Sequence, residues 1–184
     1  MAKPKRFSNI QPKPNPASMP EGAYNGAITN VEIGATFGRM ASLWPHIEDS
    51  MINVLTELLG GNAALPSRQI FRSIVSAQAR IKVMRSLLQR AELNDKKDAI
   101  YDEVINEFAA LNDQRNKFLH GLWYTHESGK VYFVEESIDD LSVFHAREVT
   151  AQEIQALIDR MTALEDRVET VVDGEYDIRQ AYGS

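Results

Sequence analysis

The stretch Leu111-Asn112-Asp113-Gln114-Arg115-Asn116-Lys117-Phe118-Leu119-His120-Gly121 decides how the whole chain is read. Just upstream, Val104, Phe108 and Leu111 recur at spacings of four and three, which predicts a helix, and Gly121 is the residue best able to take a left-handed turn that ends one. His120 then falls in the last turn, where the partial negative charge of the carbonyl end suits an imidazole serving as proton donor. At 100° per residue, Arg115 and His120 lie about 140° apart around such a helix, whereas Asn116 and His120 lie about 40° apart. One regular helix does not aim guanidinium and imidazole at a single atom. For the two to act together, the helix end must distort or a second copy of the chain must share the site. Arg115 also stands where the apolar stripe Ile100, Val104, Phe108, Leu111 would continue, a departure from core pattern of the kind that gathers at functional sites. The plain alternative is a snorkelling arginine and a histidine drawn to a helix C-terminus that Gly121 closes.

The run Arg115-Asn116-Lys117-Phe118-Leu119-His120 resembles the Arg-polar-x-x-x-His signature of the HEPN superfamily, and the Gly121-Leu122-Trp123 that follows is similar to its bacterial members. The resemblance implies an all-α fold: a HEPN-like bundle of four main helices with a small β-hairpin before the last, over residues 28–174. It further implies metal-independent RNA cleavage, in which a ribose 2′-OH attacks its neighbouring phosphate and leaves a 2′,3′-cyclic phosphate end. Arg115, Asn116 and His120 are the catalytic residues on this reading, and neither cofactor nor metal is called for. The implied assembly is a homodimer with two copies of the motif in a shared cleft, acting on RNA as a bacterial toxin or anti-phage defence protein and restrained by an antitoxin or other regulatory protein. A rival expectation is a non-catalytic dimeric module that binds nucleotide, RNA or a protein partner.

Composition agrees with a globular chain. At 184 residues it matches one domain and can bury a sizeable core, and 43% hydrophobic with 25% charged residues is ordinary. The chain has no cysteine, which removes disulfides, thiolate catalysis and cysteine metal sites and points to a reducing cytoplasm. No run approaches the roughly 18 apolar residues of a membrane span, and the start lacks a signal-peptide core. The net charge of −6 is unevenly spread: residues 1–94 carry 11 Lys and Arg against 6 Asp and Glu, residues 95–184 carry 9 against 20. Only part of the surface can attract phosphate.

Residues 1–27 hold five of the seven prolines together with Lys3, Lys5, Arg6 and Lys13, and read as a disordered arm. Thr29 and Glu32 form a capping box opening a first helix, along which Ile33, Phe37, Met40, Trp44, Ile47, Met51, Val54 and Leu58 keep core spacing. Pro45 predicts a kink or break there, and Gly60-Gly61-Asn62 ends the helix. Glu48, one position off the stripe, reads as a rim carboxylate, with bracing of the motif helix as the alternative. Ser67 after Pro66 starts a second helix through Ile70, Ile74, Ala77, Ile81, Met84 and Leu88. Its basic side, Arg68, Arg72, Arg80, Lys82, Arg85 and Arg90, either faces phosphate or pairs with the acidic Asp95, Asp98, Asp102, Glu103 and Glu107 of the next helix. That third helix starts near Asn94-Asp95.

Beyond Gly121 the period changes to two. Trp123-Tyr124-Thr125 and Val131-Tyr132-Phe133-Val134, joined by the 126–130 turn, predict a hairpin, with Leu141-Ser142-Val143-Phe144 as a third short strand. Thr150 and Glu153 cap a final helix along Ile154, Leu157, Ile158, Met161, Leu164, Val168 and Val171, and residues 175–184 read as a frayed tail. Asp113 and Lys117, four apart, are an ordinary helix ion pair. His46, His126 and His145 lack metal-ligand spacing, and no phosphate loop or nucleophile elbow is present.

Overall fold

The computed structural model describes residues 19–91, 93, 95–136 and 144–182, with residues 95–96, 136, 144 and 173–182 described by backbone alone. In chain order the elements are β1 (Tyr24–Asn25), α1 (Val31–Leu58), α2 (Ala64–Ser73), α3 (Ala77–Leu88), α4 (Asp95–His120), β2 (Leu122–His126), β3 (Val131–Glu136), β4 (Phe144–Val149) and α5 (Ala151–Tyr182). The protein is mostly helical with a small antiparallel sheet, in keeping with the expected helical class; where four main helices and one hairpin were expected, the described residues form five helices and four strands. Two compact units emerge: a sheet unit of residues up to Gly34 with His120–Thr150, and a helical unit of Ala35–Leu119 with residues from Ala151 onward. No helix is long and apolar enough to cross a membrane among the described residues.

In the helical unit, α1 carries its stripe as expected, with Met40, Ile47, Met51 and Val54 wholly buried. Of the kink or break expected at Pro45, the break does not form: α1 runs continuously through it. A proline inside a helix costs ~3 kcal/mol, but each large apolar side chain buried on either side returns about 1.5–3 kcal/mol, and Met40, Trp44, Ile47 and Met51 flank it. The helix ends where Gly60-Gly61 was expected to end it. Both have positive φ, +97° and +79°. Gly61 N donates to Thr56 O and Gly60 N to Glu57 O, each at 2.9 Å, the double closure of a Schellman turn.

The single second helix expected from Ser67 is instead two. α2 begins at Ala64, before Pro66, because a proline in the first turn surrenders no helical bond. Ser67 is wholly buried inside it, its Oγ donating to Ala63 O at 2.7 Å. Ile74 is extended (φ −87°, ψ 107°), and Ser76 caps α3 by accepting from Ala79 N at 3.4 Å. Phe71, not Ile70, therefore fills the core. α4 buries Val104, Phe108 and Leu111 as its stripe requires, and α5 runs through Gly174 to Tyr182 where a frayed end was expected.

The sheet unit is a meander in the order β1-β2-β3-β4. The predicted hairpin is present: Trp123 faces Phe133 and Tyr124 faces Tyr132 across β2 and β3, and His126 N donates to Lys130 O at 2.8 Å across a turn that uses Gly129 at φ +84°. The strand expected over Leu141–Phe144 is met by Phe144–Val149; residues 141–143 lie outside those described. Part of the expected arm is ordered into this sheet: Tyr24 and Asn25 pair with His126 and Thr125; residues 1–18 are outside those described. The cap of α1 is Asn30, whose Oδ1 accepts from Ile33 N at 3.1 Å, while the backbone of Thr29 donates to Thr125 Oγ1 at 3.0 Å. Gly121 does not have positive φ. The chain passes from α4 straight into β2, so no left-handed reversal is needed there.

Candidate functional site

The polar C-terminal turns of α4 grow out of a buried stripe. Phe108, Leu111 and Phe118 are buried, and Arg115 falls at the helical position between Leu111 and Phe118. Its side chain is therefore half-buried, and the guanidinium carbon lies 5.2 Å from the centroid of the Trp44 ring on α1. That indole in turn stacks on Phe108, centroids 5.4 Å apart and planes 15° from parallel. Two α4 residues seven positions apart, one apolar and one cationic, thus share a single aromatic partner. Such a cation over an indole gains about 0.5–2 kcal/mol, more when water is excluded.

The polar bonds around Arg115 form a short ladder. Arg115 NH1 donates to Asn116 Oδ1 at 3.0 Å, and Asn116 Nδ2 donates to the buried Asn112 Oδ1 at 3.3 Å. Arg115 Nε is buried with no hydrogen-bond partner. Burial pulls the guanidinium below its ordinary pKa, and the charge of Glu48 acts in the opposite sense. An unpartnered buried donor is a cost that calls for an account, whether strain, an ordered water or ion, or a functional role.

Glu48 keeps the rim position expected of it, its side chain 34% exposed, and is engaged there. It is half-buried, accepting Arg80 NH1 at 2.6 Å and Trp44 Nε1 at 3.3 Å. A signal for it was present: a buried tryptophan needs an acceptor for its N–H, and Glu48 is one helical turn beyond Trp44. Arg80, whose guanidinium lies 4.5 Å from the Phe71 centroid, likewise emerges as part of this cluster and not as a generic basic-face residue.

Of the three residues singled out by sequence, Arg115 and Asn116 are brought into direct contact in the helical unit. His120, the last residue of α4, is exposed and belongs to the sheet unit. Asp113 accepts from Gln78 Nε2 and Asn112 Nδ2, each at 3.4 Å. Arg68, Arg72 and Arg80, three of the six basic residues that the sequence reading put on one helix, pair with acids, and these lie on α1 and not on the helix expected. Arg68 and Arg72 reach Asp49 of α1 at 3.5 and 3.3 Å, Arg80 reaches Glu48, and Arg85 donates to Asn106 at 2.7 Å. The acids of α4 turn instead to α5, Glu107 to Arg160 at 2.8 Å and Glu103 to Arg167. His126 belongs to the hairpin turn, its Nδ1 accepting from Ser128 N at 3.2 Å and its Nε2 donating to Glu21 O at 3.2 Å. Among the described residues no three His, Cys, Asp or Glu side chains cluster as a metal site.

Chemically, the cluster offers a guanidinium with one face on an indole, one arm tied to an amide and the rest of its donors uncommitted. Its planar charge suits an anion's oxygens, but with NH1 on Asn116 and Nε shielded from solvent an anion engages it in paired fashion only after the side chain shifts. Comparison with known proteins returns no matching family model, no matching curated protein and no matching solved structure.

Proposed function

We propose that this chain is a metal-independent endoribonuclease of HEPN type, working as a homodimer on RNA in the cytoplasm, in the setting of a bacterial toxin with its antitoxin or of anti-phage defence. The observation that carries the proposal is Arg115: a cation in a core stripe, stacked on Trp44, with a buried Nε that no group of the chain satisfies. A developing phosphorane supplies the oxygens such a donor lacks. The ribose 2′-OH attacks the adjacent phosphorus, the 5′-oxygen leaves, and the product end is a 2′,3′-cyclic phosphate. His120 moves the proton, a role worth roughly 10²–10⁴ in rate. Arg115 holds the equatorial oxygens, and Asn116, bonded to Arg115, orients it.

Purified protein incubated with RNA in excess chelator tests this. Cleavage that His120→Ala abolishes, with unchanged circular dichroism, supports the enzyme. Equal cleavage by His120→Ala and the parent ends it. One observation favours the rival module that binds nucleotide, RNA or protein without cutting: Arg115 is already bonded within its own chain. Retained RNA affinity with no cleavage by the parent protein supports that reading.

A further inference from the structure

We propose that Glu48 and Arg80 are positioning residues for Arg115, acting through the indole of Trp44; this rests on Arg115 being the phosphate clamp. The relay begins at the break between α2 and α3. Because Ile74 is extended, its carbonyl leaves the helical course and accepts Arg80 Nε at 2.7 Å, while the Arg80 guanidinium lies over Phe71. These two contacts fix the fork before it meets Glu48. Arg80 NH1 then donates to Glu48 Oε1 at 2.6 Å, with the Arg80 side chain 13% exposed and Glu48 34%, so the pair is sheltered on the arginine side and screened on the carboxylate side.

The same Oε1 accepts Trp44 Nε1 at 3.3 Å. Trp44 and Glu48 are one turn apart on α1, so this bond sets the rotation of the indole about its side-chain torsions. The indole face is the seat on which Arg115 rests at 5.2 Å. Turning the ring moves the seat, and with it the guanidinium. A carboxylate is the right group at the hub because it only accepts: it takes both donors at once and places one negative charge among two guanidiniums. An amide there presents an NH₂ that competes for the wrong partners. The break in the basic helix, invisible to hydrophobic periodicity, serves this geometry.

The test uses the full chain as Glu48→Gln, Arg115→Ala, the double variant, and Arg80→Lys, each checked by circular dichroism. The substrate is a single-stranded RNA oligonucleotide, and the arginine Nε–Hε NMR resonance of Arg115 is followed independently of activity. Glu48→Gln is expected to shift that resonance and to lower kcat by about 10- to 100-fold with KM little changed, since displacing a group by about 1 Å costs on that order. The loss should vanish in the Arg115→Ala background, because a residue that acts through another has nothing left to act on. An unmoved Arg115 resonance overturns the proposal, and so does a Glu48→Gln loss of full size on top of Arg115→Ala, which assigns Glu48 to bundle stability alone. If Glu48→Gln fails to fold, Arg80→Lys, which keeps the charge and loses the Nε bond to Ile74 O, reads the same relay. Should the parent protein cut no RNA, the nuclease reading fails, while the resonance shift still decides whether Glu48 seats Arg115.

Discussion

Replacing Arg115 by methionine separates a structural arginine from one kept for its chemistry. The substitution keeps a long unbranched side chain in the stripe between Leu111 and Phe118 and removes the charge. On the losing side stand the cation–indole contact, about 0.5–2 kcal/mol, and the bond to Asn116, about 0.5–1.5 kcal/mol. On the gaining side, the unpartnered Nε disappears, worth about 1–3 kcal/mol, and apolar surface replaces a desolvated cation at about 0.8 kcal/mol per methylene buried. Glu48 keeps Arg80 and Trp44 as donors, so no carboxylate is left bare. The two sides nearly cancel, and Arg115→Met should change unfolding free energy by no more than ~1 kcal/mol, with stabilisation as the more natural sign. Urea unfolding followed by circular dichroism measures it. Activity, by contrast, should be lost. Breaking a buried ion pair that holds a fold costs about 3–5 kcal/mol. Destabilisation beyond ~2 kcal/mol would therefore refute the reasoning and make Arg115 a strut of the bundle.

Pro45→Ala should stabilise the protein by about 1–3 kcal/mol in the same urea assay, because it restores one α1 hydrogen bond and removes a ring clash; an unchanged midpoint would mean that α1 has adapted fully to the proline. Ser76→Ala removes the accepting oxygen that caps α3 and should cost about 1 kcal/mol, and as Ser76 sits two residues beyond Ile74, it should also loosen the Arg80 seat, read as a shift of the Arg115 Nε resonance. Tyr24 has its pKa raised above 10.0, by burial first and then by Tyr132 and Glu127. The stability it contributes is thus whole below pH 10.0 and is lost as pH rises through the folded value. Tyr24→Phe should flatten the alkaline limb of the stability curve and remove a late-ionising component from the tyrosinate absorbance of the parent.

What was legible in the chain divides by the range of the forces involved. Stripes of three and four placed α1, α4 and α5, and alternation placed the hairpin, because burial of Met40, Phe108 or Phe133 is dictated by local period. Ser67 and Ile74 misled for the same reason. Ile70, Ile74 and Ala77 keep a helical rhythm, yet the helix stops at Ile74, whose carbonyl goes to Arg80 Nε, a bond that no periodicity encodes. Tyr24 and Asn25 were lost among prolines, since two residues of strand owe their order to pairing with a segment a hundred positions away. The same limit explains the site. Arg115 announces itself by interrupting a stripe, whereas for Glu48 the sequence leaves rim carboxylate and brace both open, and only the placement of Trp44 and Arg80 around it shows what it holds. A cation in a core position demands a nearby carboxylate or a ligand to offset its desolvation, and here the carboxylate is spent mainly on Arg80. On the proposed reading, an anionic substrate meets the demand that remains at Arg115.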